Sequence, residues 1–318
     1  MTLPESSDGP DGGVARVAAV IVTFNSGAVL EGCLRSLATQ TGVDLAVVVV
    51  ADNASKDSSV AIAEAAEGIP VRVVQVGRNA GYAAAFNAGA ATLELRKLDA
   101  VLVLNPDCRL RPNTLQLLAR ALRQPGRAIS APKLVNPDGT LQPSLRRTPT
   151  VRGAWVEAIV GGDRAGRIGE LVFDPKAYEV AGPVAWATGA AMLMSAPAMR
   201  ELGPWDESFM LYSEETEYCQ RATDKGWSLW YEPEAVVEHI GGESGTNPTL
   251  YSLMMVNKVV LFRRRRGPAA GLAYHLAVLL GETIRAATGR PTSRASLAAL
   301  LHPSRRELLI ASLTGSHP

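Results

Sequence analysis

Four apolar runs of strand length divide the first third of the chain: VAAVIVT (17–23), LAVVVVA (45–51), VRVVQV (71–76) and AVLVL (100–104). Most of them are apolar at consecutive rather than alternate positions, which predicts strands buried on both faces. Between them apolar residues recur at helical spacing, as at Leu30, Leu34 and Leu37, and helices are expected over about 57–66, 80–95 and 113–123. This alternation predicts an α/β fold with a mostly parallel central sheet flanked by helices. In such sheets ligands bind beyond the carboxyl ends of the strands.

Those ends carry the polar residues. The first run leads into Thr23-Phe24-Asn25-Ser26, the second into Asp52-Asn53-Ala54-Ser55, the third into Gly77-Arg78-Asn79-Ala80-Gly81, and the fourth into Asn105-Pro106-Asp107. Each alone reads equally as a loop or a helix cap. All four together favour a pocket for hydroxyls, phosphates or a metal. Arg78 and Asn79 open a helix rich in Ala and Gly, whose amino end is expected to offer free N–H groups to phosphates. No GxGxxG follows the first strand and no GxxxxGK[ST] occurs anywhere, which argues against a hydride-transfer dinucleotide fold and a P-loop.

The chain has 318 residues, 47% hydrophobic and 20% charged, as a globular protein requires. Its 32 Lys and Arg nearly balance 31 Asp and Glu, giving a net charge of +1 and no general reason to bind nucleic acid. Cys33, Cys108 and Cys219 have neither disulfide nor zinc spacing and read as reduced, packing thiols. Residues 1–15 are expected to form a disordered tail without a secretory pattern, and no apolar run is long enough to span a bilayer.

Two further clusters carry chemistry. In FMLYSEETEYCQR, Glu214, Glu215 and Glu217 begin an expected helix. They read either as a general base for an attacking hydroxyl or as a charged helix start with a Glu217–Arg221 ion pair. His239 ends the strand-like EAVVEH, where a neutral imidazole can ligate a metal and a protonated one can only donate. Asp107 suits a hard cation, which takes one or two carboxylates plus substrate phosphates. Lys258 and Arg263–Arg266 precede an apolar stretch broken by His275, Glu282 and Arg285. This is either an interfacial anchor on anionic lipid or a helix packed on the rest of the chain.

The blocks VIVTFNS, VVVVADNASKDSS, GRNAGYAAAFNAGA, LVLNPDC, LGPWDESFMLYSEETEYCQRATDKGW and VVEHIGGES occur in order over roughly residues 16–262. The chain thereby resembles the inverting glycosyltransferases of family 2 with the GT-A fold. The resemblance implies a Rossmann-like domain over 16–248, with a nucleotide-binding half (16–110) and an acceptor-binding half (111–248), followed by a basic, amphipathic helical extension (249–318). It implies a nucleoside-diphosphate sugar donor and Mg²⁺ or Mn²⁺ held by Asp107 and His239. Thr23, Asn25, Asp52, Asn53, Arg78, Asn79, Asn105 and Asp107 would line the donor site. Glu215 takes the place of the family's catalytic base, with Glu214 as second candidate, and Trp186, Trp205 and Asp206 would shape the acceptor pocket.

Two departures stand out. Asn105 replaces the first acid of the usual Asp-x-Asp, and Glu215 replaces an Asp. The segment NPDGTLQPSLRRTPT (136–150) resembles the bacterial rhamnosyltransferase branch. That implies dTDP-L-rhamnose or a UDP-sugar as donor and a polyprenyl-diphosphate-linked glycan as acceptor, in cell-envelope polysaccharide synthesis. It also implies a cytoplasmic enzyme peripheral on the inner membrane face, touching lipid through 258–288. A nucleotidyltransferase would want a Gly-rich, basic signature after the first strand, which TFNSGAV lacks; a non-catalytic sugar-nucleotide-binding protein is the remaining alternative.

Overall fold

The computed structural model describes residues 13–241, 243–302 and 305–314, so most of the expected tail lies outside the described residues. The four apolar runs form β1 (Ala15–Thr23), β2 (Val43–Asp52), β3 (Val71–Gln75) and β4 (Ala100–Leu104), paired in parallel in the order β3-β2-β1-β4. Helices α1 (Gly27–Ala38), α2 (Ser59–Glu64) and α3 (Tyr82–Ala90) connect them. One face of this sheet packs on Leu30, Leu34 and Leu37 of α1, and the other on Phe86 of α3. α3 lies close because Gly89 sits against the sheet, where an added methyl would come 2.9 Å from Val20 Cγ1.

The second half is mixed rather than parallel. After β5 (Cys108–Leu110), α4 (Thr114–Leu122), β6 (Arg127–Val135), β7 (Leu145–Arg146) and α5 (Val151–Val160) come β8 (Gly182–Val184), β9 (Trp186–Ala187) and β10 (Ala191–Ser195). Then follow α6 (Ala196–Leu202), α7 (Glu214–Asp224) and β11 (Ser228–His239). β10 inserts antiparallel beside β4, and the sheet continues β10-β6-β11-β5, with β8 on β11. β7 and β9 form a separate two-stranded ribbon. β5 returns antiparallel along β11, placing Cys108 opposite His239. That register brings Asp107 from the tip of β4 next to the end of β11.

After α8 (Glu243–Thr246) come α9 (Pro248–Ala287), α10 (Pro291–Leu301) and α11 (Arg305–Thr314). α9 breaks at Gly267 (φ 82°, ψ 174°), and Pro268, which cannot supply a helical N–H, starts the second limb. The limbs fold back on each other: Phe262 stacks on Tyr274 with centroids 4.0 Å apart, and Tyr251 donates to Glu282 at 3.0 Å. The basic run is therefore dispersed. Lys258 turns inward to a 2.6 Å ion pair with Glu170, while Arg264 and Arg265 meet Asp206 and Asp224 at 3.3 and 2.7 Å. Lys258 is thus no part of a surface cluster, since Glu170 and Glu157 compensate its charge where it lies. Among the described residues no helix is long and apolar enough to cross a membrane.

Candidate active site

Asp107 and His239 face each other across the β5–β11 register, with Asp107 Oδ1 3.5 Å from His239 Nε2. The second carboxylate oxygen accepts the Gly241 N–H at 2.9 Å. Burial pushes the Asp107 carboxyl up, but hydrogen bonding to His239 and Gly241 outweighs it and holds the group below the usual carboxylate range. On its other side His239 Nδ1 lies 2.6 Å from Gln142 Oε1. An amide oxygen can only accept, so Nδ1 carries a proton, and Nε2 donates to Asp107 in the imidazolium or offers a lone pair in the neutral ring. That lone pair and an anionic oxygen side by side, with the imidazole oriented from behind, fit a divalent cation.

Cys108 lies in the same cluster, but its fully buried thiol donates to the Ala190 carbonyl at 3.4 Å. Cys33 and Cys219 are likewise free and buried, as packing thiols should be. For Gln142→Leu we expect metal affinity to fall about 10- to 100-fold, measurable by Mn²⁺ titration.

A cleft of about 810 Å³ starts at Asn105 and His239 and runs along Glu214 and Glu215. The Asn105 side-chain oxygen accepts from Tyr82 Oη at 3.0 Å, and the Asn105 N–H donates to Ala190 O at 2.8 Å. That carbonyl adjoins Gly189, where an added Cβ would lie 3.3 Å from Glu215 Cβ, so the strand-tip amide and the Glu215 carboxylate are neighbours across one short loop. Burial pushes Glu215 above the usual range, opposed by backbone N–H groups at the start of α7 and by Arg146. Glu214, 3% exposed, is pushed up further by burial and by the Glu215 charge, and its Oε2 has no hydrogen-bond partner among the described residues. The surroundings thus favour a charge on Glu215 more than on Glu214. Arg146, whose Nη1 donates to Pro143 and Leu145 carbonyls at 3.0 and 2.9 Å, lies over Trp186 in the same cleft.

The carboxylates are presented by a strained loop. Met210, Tyr212 and Ser213 all have positive φ (63°, 67° and 80°), the last two directly before α7. Asn257, fully buried on α9, donates to the carbonyls of Phe209 and Leu211 at 2.8 and 2.9 Å and holds the loop. Met210 O in turn accepts the Tyr82 N–H at 2.7 Å. This corrects one expectation: the first N–H of α3 is spent on the loop and is not free for phosphate. Gly81 permits the contact, since its Cβ would fall 2.3 Å from Met210 O. Asn257→Ala should cost about 2 kcal/mol, read as a lowered Tm.

The donor-side expectations divide. Thr23 and Asp52 are 0% and 1% exposed and bond to each other at 2.8 Å, and Ser55 fills the rest of the Asp52 carboxylate with bonds of 2.6 and 2.9 Å. Asn53 Nδ2 donates to Gly81 O, and Asn53 Oδ1 accepts from Ala80 N. These three residues brace the strand tips by bonding among themselves, because adjoining loops supply donors to every acceptor. Asn25, exposed, accepts the Lys56 N–H; Arg78 is exposed; Asn79 Nδ2 donates to Leu313 O of α11 at 3.0 Å.

On the acceptor side Trp186 and Trp205 both line the cleft, though Trp205 is packed between Phe86 and Tyr218. Asp206 does not line it: one oxygen caps Ser208 N and the other pairs with Arg264. Its place in an acceptor pocket is therefore corrected to a loop brace. Glu217 takes its bland reading, bonding Arg221 at 2.9 Å. Tyr82, Gln142, Arg146 and Gly189 enter the site unannounced by sequence spacing. Only the quoted GYAAAF and LQPSLRR segments held a hint of the first three.

A family model described as glycosyl transferase family 2 matches residues 18–171. The chain is similar to N-acetylglucosaminyl-diphospho-decaprenol L-rhamnosyltransferase of Mycobacterium tuberculosis, 30% identical over 241 residues, which covers 72% of this chain and 78% of that one. Among solved structures it is similar to the mannosyltransferase PcManGT from Pyrobaculum calidifontis in complex with GDP-Man and Mn²⁺ (TM-score 0.54, 18% identity, 98% of this chain and 90% of that one). It is also similar to residues 1–349 of S. aureus TarS in complex with UDP-GlcNAc (TM-score 0.51, 15% identity, 95% and 93%). Both share its GT-A architecture.

Proposed function

Because the chain belongs to glycosyl transferase family 2, we propose that its cleft moves L-rhamnose with inversion from dTDP-L-rhamnose to a polyprenyl-diphosphate-linked GlcNAc. The donor diphosphate lies at Asp107 and His239, and the acceptor sugar lies at Glu215 beside Trp186 and Arg146. The observation that carries this reading is that the cleft joins His239, the partner of Asp107, to Glu214 and Glu215. The mycobacterial relative supplies the donor and acceptor classes by its name.

Inverting transfer needs one base on the face opposite the leaving group. Glu215 accepts the proton of the attacking hydroxyl. Burial and the neighbouring Glu215 oppose a second charge at Glu214 that would repel the diphosphate. Asp107 and the Nε2 of His239 would hold Mg²⁺ or Mn²⁺, which when bound neutralises the charge gathering on the leaving diphosphate. Asn105 removes one negative charge from the expected Asp-x-Asp, leaving an Asp–His pair. Thr23, Asp52 and Asn53 keep the donor-side loops in register, with Asn25, Arg78 and Asn79 at their outer ends. The exposed Leu272, Leu276 and Ile284 of the second α9 limb favour a peripheral position on the inner membrane face.

Purified protein incubated with a panel of sugar nucleotides, a divalent cation and a GlcNAc-diphosphate lipid should form product fastest from dTDP-L-rhamnose. Faster transfer from another sugar nucleotide would overturn the rhamnosyl reading, and transfer from none would overturn the function.

A further inference from the structure

The cleft does not end at the carboxylates. Beyond Trp186 and Arg146 it continues between α5, the segment at 171–173 and the two limbs of α9. There its walls turn apolar, lined by Ala158, Leu171, Phe173, Met255, Phe262 and Val278. Gly281 lets the second limb cross α5 closely, with its Cβ position 3.2 Å from Ala158 Cα. The trough opens to solvent at Phe173, which lines it and is 41% exposed.

Charge distinguishes this stretch further. Arg265 and Arg285 in the cleft lining are paired with Asp224 and Glu282, and Lys258 with Glu170. Arg266 and Arg290 also line the cleft and have no carboxylate within ion-pair distance among the described residues. Apolar walls with uncompensated guanidinium groups beside them suit a hydrocarbon chain on an anionic head. A nucleotide sugar would need polar walls instead.

We propose that this trough binds the polyisoprenoid chain of a lipid-diphosphate acceptor, entering over Phe173 and leading its head group to Glu215. The inference rests on the glycolipid reading above and names where the lipid lies. The unbranched, polarisable Met255 lets the wall adapt to a methyl-branched chain.

Two acceptors with the same GlcNAc-diphosphate head separate the possibilities, one carrying a long polyisoprenyl chain and one a short alkyl chain, both in the same detergent. The protein should use the long-chain acceptor with at least tenfold higher kcat/KM. The variant Phe173→Ser, at a lining position open to solvent and checked for an unchanged Tm, should cut that preference at least fivefold. Equal use of both acceptors by the unaltered protein would overturn the trough. So would a Phe173→Ser variant that keeps the full preference or loses activity on both acceptors alike. Transfer to neither acceptor would instead sink the glycolipid reading itself.

Discussion

Glu215→Gln should lower kcat by about 10³-fold, within the range of a positioned general base, and leave donor KM nearly unchanged. Glu214→Gln should stay within about tenfold of the unaltered enzyme. The two residues are adjacent, buried and both acidic, yet their environments differ. Backbone N–H groups and Arg146 favour the Glu215 anion, whereas Glu214 has an unbonded oxygen and a charged neighbour. Replacing Glu214 by a neutral amide should change little, because its surroundings oppose a charge there. Replacing Glu215 removes the carboxylate of the pair better placed to take the proton. The acid limb of kcat/KM follows from the same asymmetry. Burial raises the Glu215 pKa, so the competent anion is present above that raised value and lost as pH falls through it. The limb therefore lies above the ordinary Glu value of about 4.3. Comparable losses in both Gln variants would refute the division of roles.

Asp107→Asn should reduce kcat/KM by about 10²- to 10³-fold, with excess Mn²⁺ recovering only part of it. The substitution keeps the shape of the side chain and an acceptor for the Gly241 N–H, so the 2.9 Å bond can survive and the fold with it. It removes the one anionic charge at the tip of β4. Because Asn105 has already replaced the other expected acid, no second carboxylate on that turn can substitute, and His239 alone supplies a neutral lone pair. Activity of Asp107→Asn equal to the unaltered enzyme in metal-free buffer would show that the diphosphate is neutralised elsewhere.

The parts of this account that were readable in sequence are those fixed by local pattern. β1 to β4 were legible because strands covered on both faces must be apolar at successive positions, as in the five-residue AVLVL. The start of α7 and the end of β11 were legible for similar reasons, and with them Glu214, Glu215 and His239. What was hidden depends on partners far along the chain. Asp52 reads as an available acid, but only the fold shows Thr23 and Ser55 consuming both its oxygens. The free amino end of α3 failed as an expectation because the carbonyl of Met210, 128 positions beyond Tyr82, accepts that N–H. The strain at residues 210–213 and its restraint by Asn257 are equally non-local. The run Arg263–Arg266 looked like a single patch because sequence cannot show that consecutive helical residues point in different directions. Two of the four found acids on separate elements.

The central claim places the leaving diphosphate at Asp107 and His239 and the base at Glu215, on opposite faces of the reacting carbon. The most direct test is the anomeric configuration of the first-formed product, read from its one-bond C1–H1 coupling by NMR, using an anomerically pure sugar nucleotide. A glycoside of configuration opposite to the donor is the predicted result; a product retaining the donor's configuration would contradict it.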